Sequence, residues 1–174
     1  MRLLGIWQRN NTDMATLFLI CGMAGAGKTT LARQLETSRQ ALRLCPDEWI
    51  KKIIKDESDK PELDRLRDPV ESLQWTTAQT LLGLGVSVIL ENGFWSREER
   101  MSYRSKAKEL GAQVELHYLD VSKEELRRRI EARNSNLPEG SFRITKPELE
   151  SWLASFTPPD SEELKRYDAF EVHR

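Results

Sequence analysis

The chain has 174 residues, 39% of them hydrophobic and 32% charged, which suits one compact domain with a core of its own. A formal net charge of −1 excludes a global field that would recruit nucleic acid or a membrane surface. The two cysteines, Cys21 and Cys45, form no CxxC pair, so neither a disulfide framework nor a zinc pattern is present, and a reducing, cytoplasmic setting is expected.

Residues 1–13 precede Met14 and carry no convincing element; residues 1–14 are expected to be a disordered tail, such as an upstream start codon would add, ahead of a single domain over 15–174. Leu17–Cys21 is a short apolar run ending at a glycine-rich turn, and it reads as a strand buried on both faces. A helix follows over Lys28–Ser38, with Leu31 and Leu35 on one side. Ala41–Cys45 reads as a second strand, and Pro46 opens a helix to about Lys55. Asp56–Asp68 is polar, with Pro61 and Pro69 as breakers, so a loop or broken helix is expected there, before a long helix over Val70–Leu84. Val86–Leu90 reads as the third strand. Ser96 with Glu99 makes a capping box for a helix to Leu110, and Gly111 stops it. Val114–Leu119 is the fourth strand, and Ser122 with Glu125 opens a helix to about Asn134. A loop over Ser135–Ile144 leads to a third box, Thr145 with Glu148, and a helix to about Phe156; Phe170–His173 reads as a fifth strand. Strands alternating with helices call for a parallel sheet covered on both faces. The longest nearly apolar run, Leu81–Leu90, holds two glycines and a serine and is too short to cross a membrane, so no membrane partner is expected.

The pattern G-x-x-x-x-G-K-[ST] is met in full from Gly22 to Thr29, between a buried strand and a helix. Glycine at 22, 25 and 27 lets backbone N–H groups approach phosphate oxygens, and the helix start adds free donors and a partial positive charge. Gly22, Gly25, Ala26, Gly27, Lys28, Thr29 and Thr30 are therefore the expected nucleotide-binding residues, with Lys28 reaching the β- and γ-phosphates and the Thr29 hydroxyl placed for Mg²⁺. ATP and Mg²⁺ are the cofactors this implies.

Ligands of open α/β sheets sit at the carboxyl ends of the strands. Asp47 lies two residues past the second strand, and a carboxylate there can take the proton of an acceptor hydroxyl, so it is the expected catalytic base. Glu91 directly follows the third strand and is the expected second metal residue beside Thr29. Positive charge gathers at Arg127, Arg128, Arg129, Arg133 and Arg143. Arg129 and Arg133 share a helix face leading into the 135–144 loop, as a lid over a triphosphate would require, whereas Arg127 or Arg128 reads as solvated. Trp49, Trp95, Arg97 and Arg100 follow the two acids and are candidates for the acceptor site, with core packing the alternative for the tryptophans.

The loop Gly22–Thr30, the segments Cys45-Pro46-Asp47-Glu48-Trp49 and Ile89-Leu90-Glu91-Asn92-Gly93-Phe94-Trp95 with Arg97 and Arg100, and the run Leu126–Asn134 resemble the small bacterial P-loop kinases. These are similar to the kinase domain of polynucleotide kinase, to chloramphenicol phosphotransferase and to zeta toxin. The resemblance spans about residues 15–156. It implies a P-loop NTPase fold, a three-layer α/β/α arrangement with a five-stranded parallel sheet in the order 2-3-1-4-5 and a lid. It also implies a catalytic base at Asp47 and lid arginines at Arg129 and Arg133. Glu91-Asn92-Gly93 departs from the Asp followed by Thr or Gly that several relatives carry.

Other uses of a phosphate loop leave marks that are missing here. No N-K-x-D guanine signature and no L-S-G-G-Q follow, and the chain is too short for the added helical subdomain of an AAA-type motor. Two readings stay open: a kinase acting on a hydroxyl of a small-molecule or nucleotide-like acceptor, with nucleic-acid 5′ ends disfavoured by the low net charge, and a nucleotide-binding regulatory ATPase without a separate acceptor. Oligomeric state is not encoded in any recognisable pattern.

Overall fold

The computed structural model describes residues 14–56, 59–137 and 142–174, and the expected tail lies, apart from Met14, outside them. Five strands, β1 (Thr16–Cys21), β2 (Leu42–Leu44), β3 (Val88–Gly93), β4 (Gln113–Leu119) and β5 (Ala169–His173), form one sheet. Its order is β2-β3-β1-β4-β5, and every pairing is parallel. The helices are α1 (Lys28–Arg39), α2 (Pro46–Ile53), α3 (Lys60–Gly83), α4 (Arg97–Glu109), α5 (Lys123–Ser135), α6 (Lys146–Ser155) and the short α7 (Ser161–Leu164).

Side-chain alternation along the strands divides the core in two. Leu17, Leu19, Val88, Leu90, Val114 and Leu116 face Trp75, Ala78 and Leu82 of α3 and Ala107 of α4. Phe18, Ile20, Ile89 and Leu119 face Ala32 and Leu35 of α1, Leu126 and Ile130 of α5, and Leu149 and Leu153 of α6. A smaller cluster, Ile50 with Leu63, Leu66 and Val70, seats α2 on α3. Among the described residues no helix is long and apolar enough to cross a membrane.

Three elements differ from the sequence expectation. The stretch read as a loop over 56–68 is helical from Lys60, and α3 runs on through Pro69 to Gly83. Asp59 caps it by accepting from the Glu62 N–H, Pro61 stands in the first turn, and the spacing of Leu63, Leu66 and Val70 gives the helix a face to bury. Pro69 removes one internal hydrogen bond, and the burial on both sides of it outweighs that loss. The strand read as Val86–Leu90 begins at Val88 and continues to Gly93, so Glu91 and Asn92 belong to the strand end instead of the following turn. The third difference is α7, capped by Asp160, which the sequence reading left out.

Candidate active site

The phosphate loop leaves β1 at Cys21 and enters α1 at Lys28. Gly25 shows why glycine is needed: its φ is +83°, and a Cβ there would stand 3.1 Å from Ile130 of α5. The first turn of α1 has no side-chain cap, which leaves its N–H groups turned to the loop as an anion site. Lys28 curls back so that its Nζ donates to the Met23 carbonyl at 3.1 Å. Burial pulls the Lys28 pKa down, and Glu91 and Asp47 oppose that shift. The two acids and the loop lysine therefore share one electrostatic site.

Glu91 arrives there through an irregularity in the sheet. Leu19 pairs with Leu90 but Cys21 pairs with Gly93, so β3 carries one extra residue against β1. Gly93, at φ +95°, closes the bulge and accepts the Gly22 N–H at 2.9 Å, tying the strand end to the phosphate loop. Glu91 is buried and faces α1, where the Thr29 hydroxyl donates to one of its oxygens. Its other oxygen accepts from Arg43 Nη1 at 2.8 Å. A hydroxyl and a carboxylate oxygen side by side, next to where phosphates would bind, are the donor set of a hard divalent cation such as Mg²⁺.

Asp47 sits in the first turn of α2 and is held by Arg67 of α3, whose Nη2 donates to Oδ1 at 2.9 Å. From the other side of the loop come the α5 arginines. Arg129 donates through Nη1 to the Ala26 carbonyl of the phosphate loop at 3.3 Å and through Nε to Glu125 at 2.7 Å. Arg133 donates to the Phe142 carbonyl at 3.2 Å, while its Nε is buried with no hydrogen-bond partner among the described residues. Burial lowers the Arg133 pKa, and Asp47 is the charge that opposes it. Asp47, Lys28, Thr29, Glu91, Arg129 and Arg133 are thus gathered around one loop. Arg127 and Arg128 pair at the surface with Glu150 and Glu125, each at 2.7 Å. Residues 138–141 of the expected lid loop lie outside the described residues.

Arg100 requires a correction. Expected near the acceptor, it is fully buried and forms a two-pronged ion pair with Glu163 of α7 at 2.6 and 2.8 Å. Its remaining donor is taken by the carbonyls of Phe94 and Thr157. Its place in the first turn of α4 points it at α7, so it is a structural clamp. Arg97, three residues earlier on the same side, pairs with Asp160 at 2.9 Å and likewise faces α7. Trp49 packs between two core clusters, and Trp95 packs against Trp152 with ring centroids 5.6 Å apart.

Sequence reasoning missed a polar cluster on the opposite face of β3. Asn92, one residue past Glu91, is turned by the strand alternation toward Tyr103 of α4. The Asn92 amide buries both polar atoms beside the Tyr103 hydroxyl, and neither meets a partner at full hydrogen-bond geometry among the described residues. Burial pushes Glu71 of α3 up to about 7, with Arg67 pulling the other way and Glu99 adding to the rise. Burial also raises Glu99, and it pushes Tyr103 up to about 12 with help from Glu71 and Glu99. Arg67 bridges this cluster to Asp47, since its Nη1 lies 3.5 Å from Glu71. Arg43 was missed as well. Burial opposes its charge, but Glu48 at 2.7 Å and Glu91 outweigh that and push its pKa up. The only sequence signal for Arg43 was a charged residue in the middle of a short apolar strand.

The sequence profile of a family described as an AAA domain matches residues 17–159. No curated protein matches the chain in sequence. Similar solved structures include a candidate kinase from Chloroflexus aurantiacus, at 20% identity and TM-score 0.71, covering 92% of this chain and 85% of that one. Kti12 from Chaetomium thermophilum, solved with ADP-AlF3, is 16% identical with TM-score 0.66, covering 90% of this chain and 87% of its own. A gluconokinase from Sinorhizobium meliloti is 16% identical with TM-score 0.55, covering 91% and 82%. At these identities the structural likeness speaks for the fold, and the fold is the P-loop NTPase arrangement expected from the sequence. With the profile matched over most of its length and the loop geometry in place, the chain belongs to the AAA-domain family of P-loop kinase-like proteins.

Proposed function

We propose that the protein transfers the γ-phosphoryl group of ATP to a hydroxyl of a small-molecule or nucleotide-like acceptor. The observation that carries this reading is the polar cluster of Asn92, Tyr103, Glu71 and Glu99 beside Asp47. A regulator that only binds or hydrolyses nucleotide has no use for a buried amide whose bonding capacity is not filled by Tyr103, whereas a polyhydroxylated acceptor would fill it. The acceptor oxygen attacks the γ-phosphorus, the bond to the departing ADP oxygen breaks, and the acceptor proton passes to Asp47, which the contact with Arg67 holds in position. Lys28 and the loop N–H groups hold the β- and γ-phosphates, and Arg129 and Arg133 neutralise charge on the transferred group. Thr29 and Glu91 would hold Mg²⁺, which when bound offsets phosphate charge.

The gluconokinase and the ADP-AlF3 complex among the fold neighbours support ATP as donor and an alcohol as acceptor. A net charge of −1 favours a small acceptor over a nucleic-acid 5′ end. The free, buried Cys21 and Cys45 suit the reducing cytoplasm.

The test is ADP release from Mg·ATP with pooled nucleosides, DNA and RNA 5′-hydroxyl ends, sugars and hydroxyl-bearing antibiotics, with Lys28→Ala as control. One pool should raise the rate well above background, and Asp47→Asn should keep ATP affinity while losing at least about 100-fold in transfer. Unchanged transfer in Asp47→Asn would remove it as the base. ATP binding with no stimulation by any pool would favour the regulatory ATPase.

A further inference from the structure

On the far side of the sheet from the polar acceptor cluster, β4 and the edge strand β5 bring together a second group of metal-ligating side chains that the phosphoryl-transfer reading does not use. His117 pairs in register with Glu171, and Leu119 pairs with His173. Strand alternation therefore turns His117, Glu171 and His173 to one face. His117 is buried, His173 is partly covered and Glu171 is exposed. His117 Nδ1 stands 3.1 Å from His173 Nε2 and 3.7 Å from Glu171 Oε2. One ligand atom from each of the three residues lies within 4.8 Å of the others.

We propose that His117, His173 and Glu171 form a binding site for a borderline transition-metal ion of the Zn²⁺ class, separate from the Mg²⁺·ATP site. Tetrahedral zinc with bonds of about 2.0–2.1 Å sets its ligand atoms about 3.4 Å apart; the 3.1 and 3.7 Å spacings from His117 straddle that value, and the third edge, between His173 and Glu171, lies within 4.8 Å and would draw in on binding. Two imidazoles and one carboxylate select Zn²⁺, Co²⁺ or Ni²⁺ over the oxygen-seeking Mg²⁺ and Ca²⁺. Three protein ligands leave the fourth position to water.

The surroundings also suit an ion. Glu115 Oε1 lies 3.0 Å from the other ring nitrogen of His117, off the line of a good hydrogen bond, and Arg39 reaches the same carboxylate at 3.3 Å. A carboxylate behind a ligating histidine sets the tautomer and steers the ring. A small turn of the His117 ring on binding would bring Nε2–H into line with Glu115, leaving the Nδ1 lone pair facing His173 and Glu171. Phe18, with its ring centroid 6.2 Å from that of His117, walls the inner side. Binding would tie the edge strand to β4 at the level of Leu119, which packs beneath Gly22 of the phosphate loop.

The test uses the full chain stripped with chelator, titrated with Zn²⁺ by calorimetry and with Co²⁺ by visible absorption. The expected result is one ion per chain, with the d–d bands of tetrahedral Co²⁺ and no thiolate charge-transfer band. His173→Ala should weaken binding at least 100-fold and Glu171→Gln should weaken it measurably; both positions reach solvent, so both variants should fold. Glu115→Gln should cost about 10–100-fold through the ring it orients. No saturable binding to the wild-type chain, unchanged affinity in His173→Ala, or a thiolate band implicating Cys21 or Cys45 would each overturn the proposal. The readout involves no phosphoryl transfer, so its failure and that of the kinase reading are distinguishable.

Discussion

Arg100 shows how one residue type can be read two ways from sequence. An arginine in the first turn of a helix that follows a strand end is well placed for an anion, and only the fold reveals that α7 supplies Glu163 to meet it. With both side chains out of solvent, the pair is fully desolvated. Replacing Arg100 by Met should therefore destabilise the protein by about 3–5 kcal/mol, because Glu163 is left buried without a counter-charge. Urea unfolding should show a lower midpoint for Arg100→Met, and combining it with Glu163→Leu should recover much of the loss. A loss of stability no larger than that of a surface arginine would show that the pair is not needed. By contrast, Lys28, Thr29 and Asp47 were legible as sequence. Their positions follow from chain geometry alone: a glycine loop after a buried strand, and an acid two residues beyond the next. The signal for Glu163 existed too, since Asp160 capping the Glu163 N–H is the same pattern that opens the four longer helices α3, α4, α5 and α6. It was passed over because a helix this short leaves no periodicity to see.

At the level of elements, the largest misreading was α3. Two prolines and a run of charges suggested a loop, but Asp59, Pro61 and Glu62 are start signals, and burial of Leu63, Leu66 and Val70 makes the helix worth forming. Its misreading hid Arg67 and Glu71, the residues that link Asp47 to the acceptor cluster. Asp59→Ala should cost about 1 kcal/mol of stability through the lost cap, measurable by denaturant titration. Glu71 gives α3 a pH signature. Its carboxyl, ordinarily near 4.5, is pushed up to about 7 by burial. Between those two values the folded protein keeps a proton that the unfolded chain has released, so the Glu71 contribution to stability is fully present below about pH 4.5, is lost as pH rises through about 7, and then levels off. The span of that loss is on the order of 3 kcal/mol. Glu71→Gln should flatten this part of the profile, and the difference between the two unfolding free energies across pH 4.5–8 isolates it from other titrating groups. A constant difference would mean that Glu71 is charged in the folded state throughout. The bulge in β3 was equally hidden, because an extra residue in a strand leaves no trace until its partner strand is known.

For the molecule as a whole, the parallel sheet was legible from the alternation of strands and helices and its order β2-β3-β1-β4-β5 from the family resemblance alone, and that order explains why one ligand can bind groups from so many parts of the chain. The phosphate loop leaves the central strand. On one side of it, Glu91 comes from β3 and Asp47 from the helix that follows β2; on the other, Arg129 and Arg133 come from the helix that follows β4. A nucleotide bound there would join both halves of the sheet, so Mg·ATP should stabilise the entire domain against unfolding. The linkage contribution is about 2.7 kcal/mol when free ligand is 100-fold above its Kd, and it should appear as a concentration-dependent rise in Tm. Two variants separate the parts of this effect. Lys28→Ala should remove nearly all of the shift, because the loop loses its contact with the β- and γ-phosphates. Glu91→Gln should keep the shift seen with ATP in EDTA and lose the further increment that Mg²⁺ adds, because Thr29 would be left without its carboxylate partner. If Glu91→Gln retained the full Mg²⁺ increment, Glu91 would be a structural partner of Arg43 and Thr29, and the cation would have to be held by the phosphates and Thr29 alone.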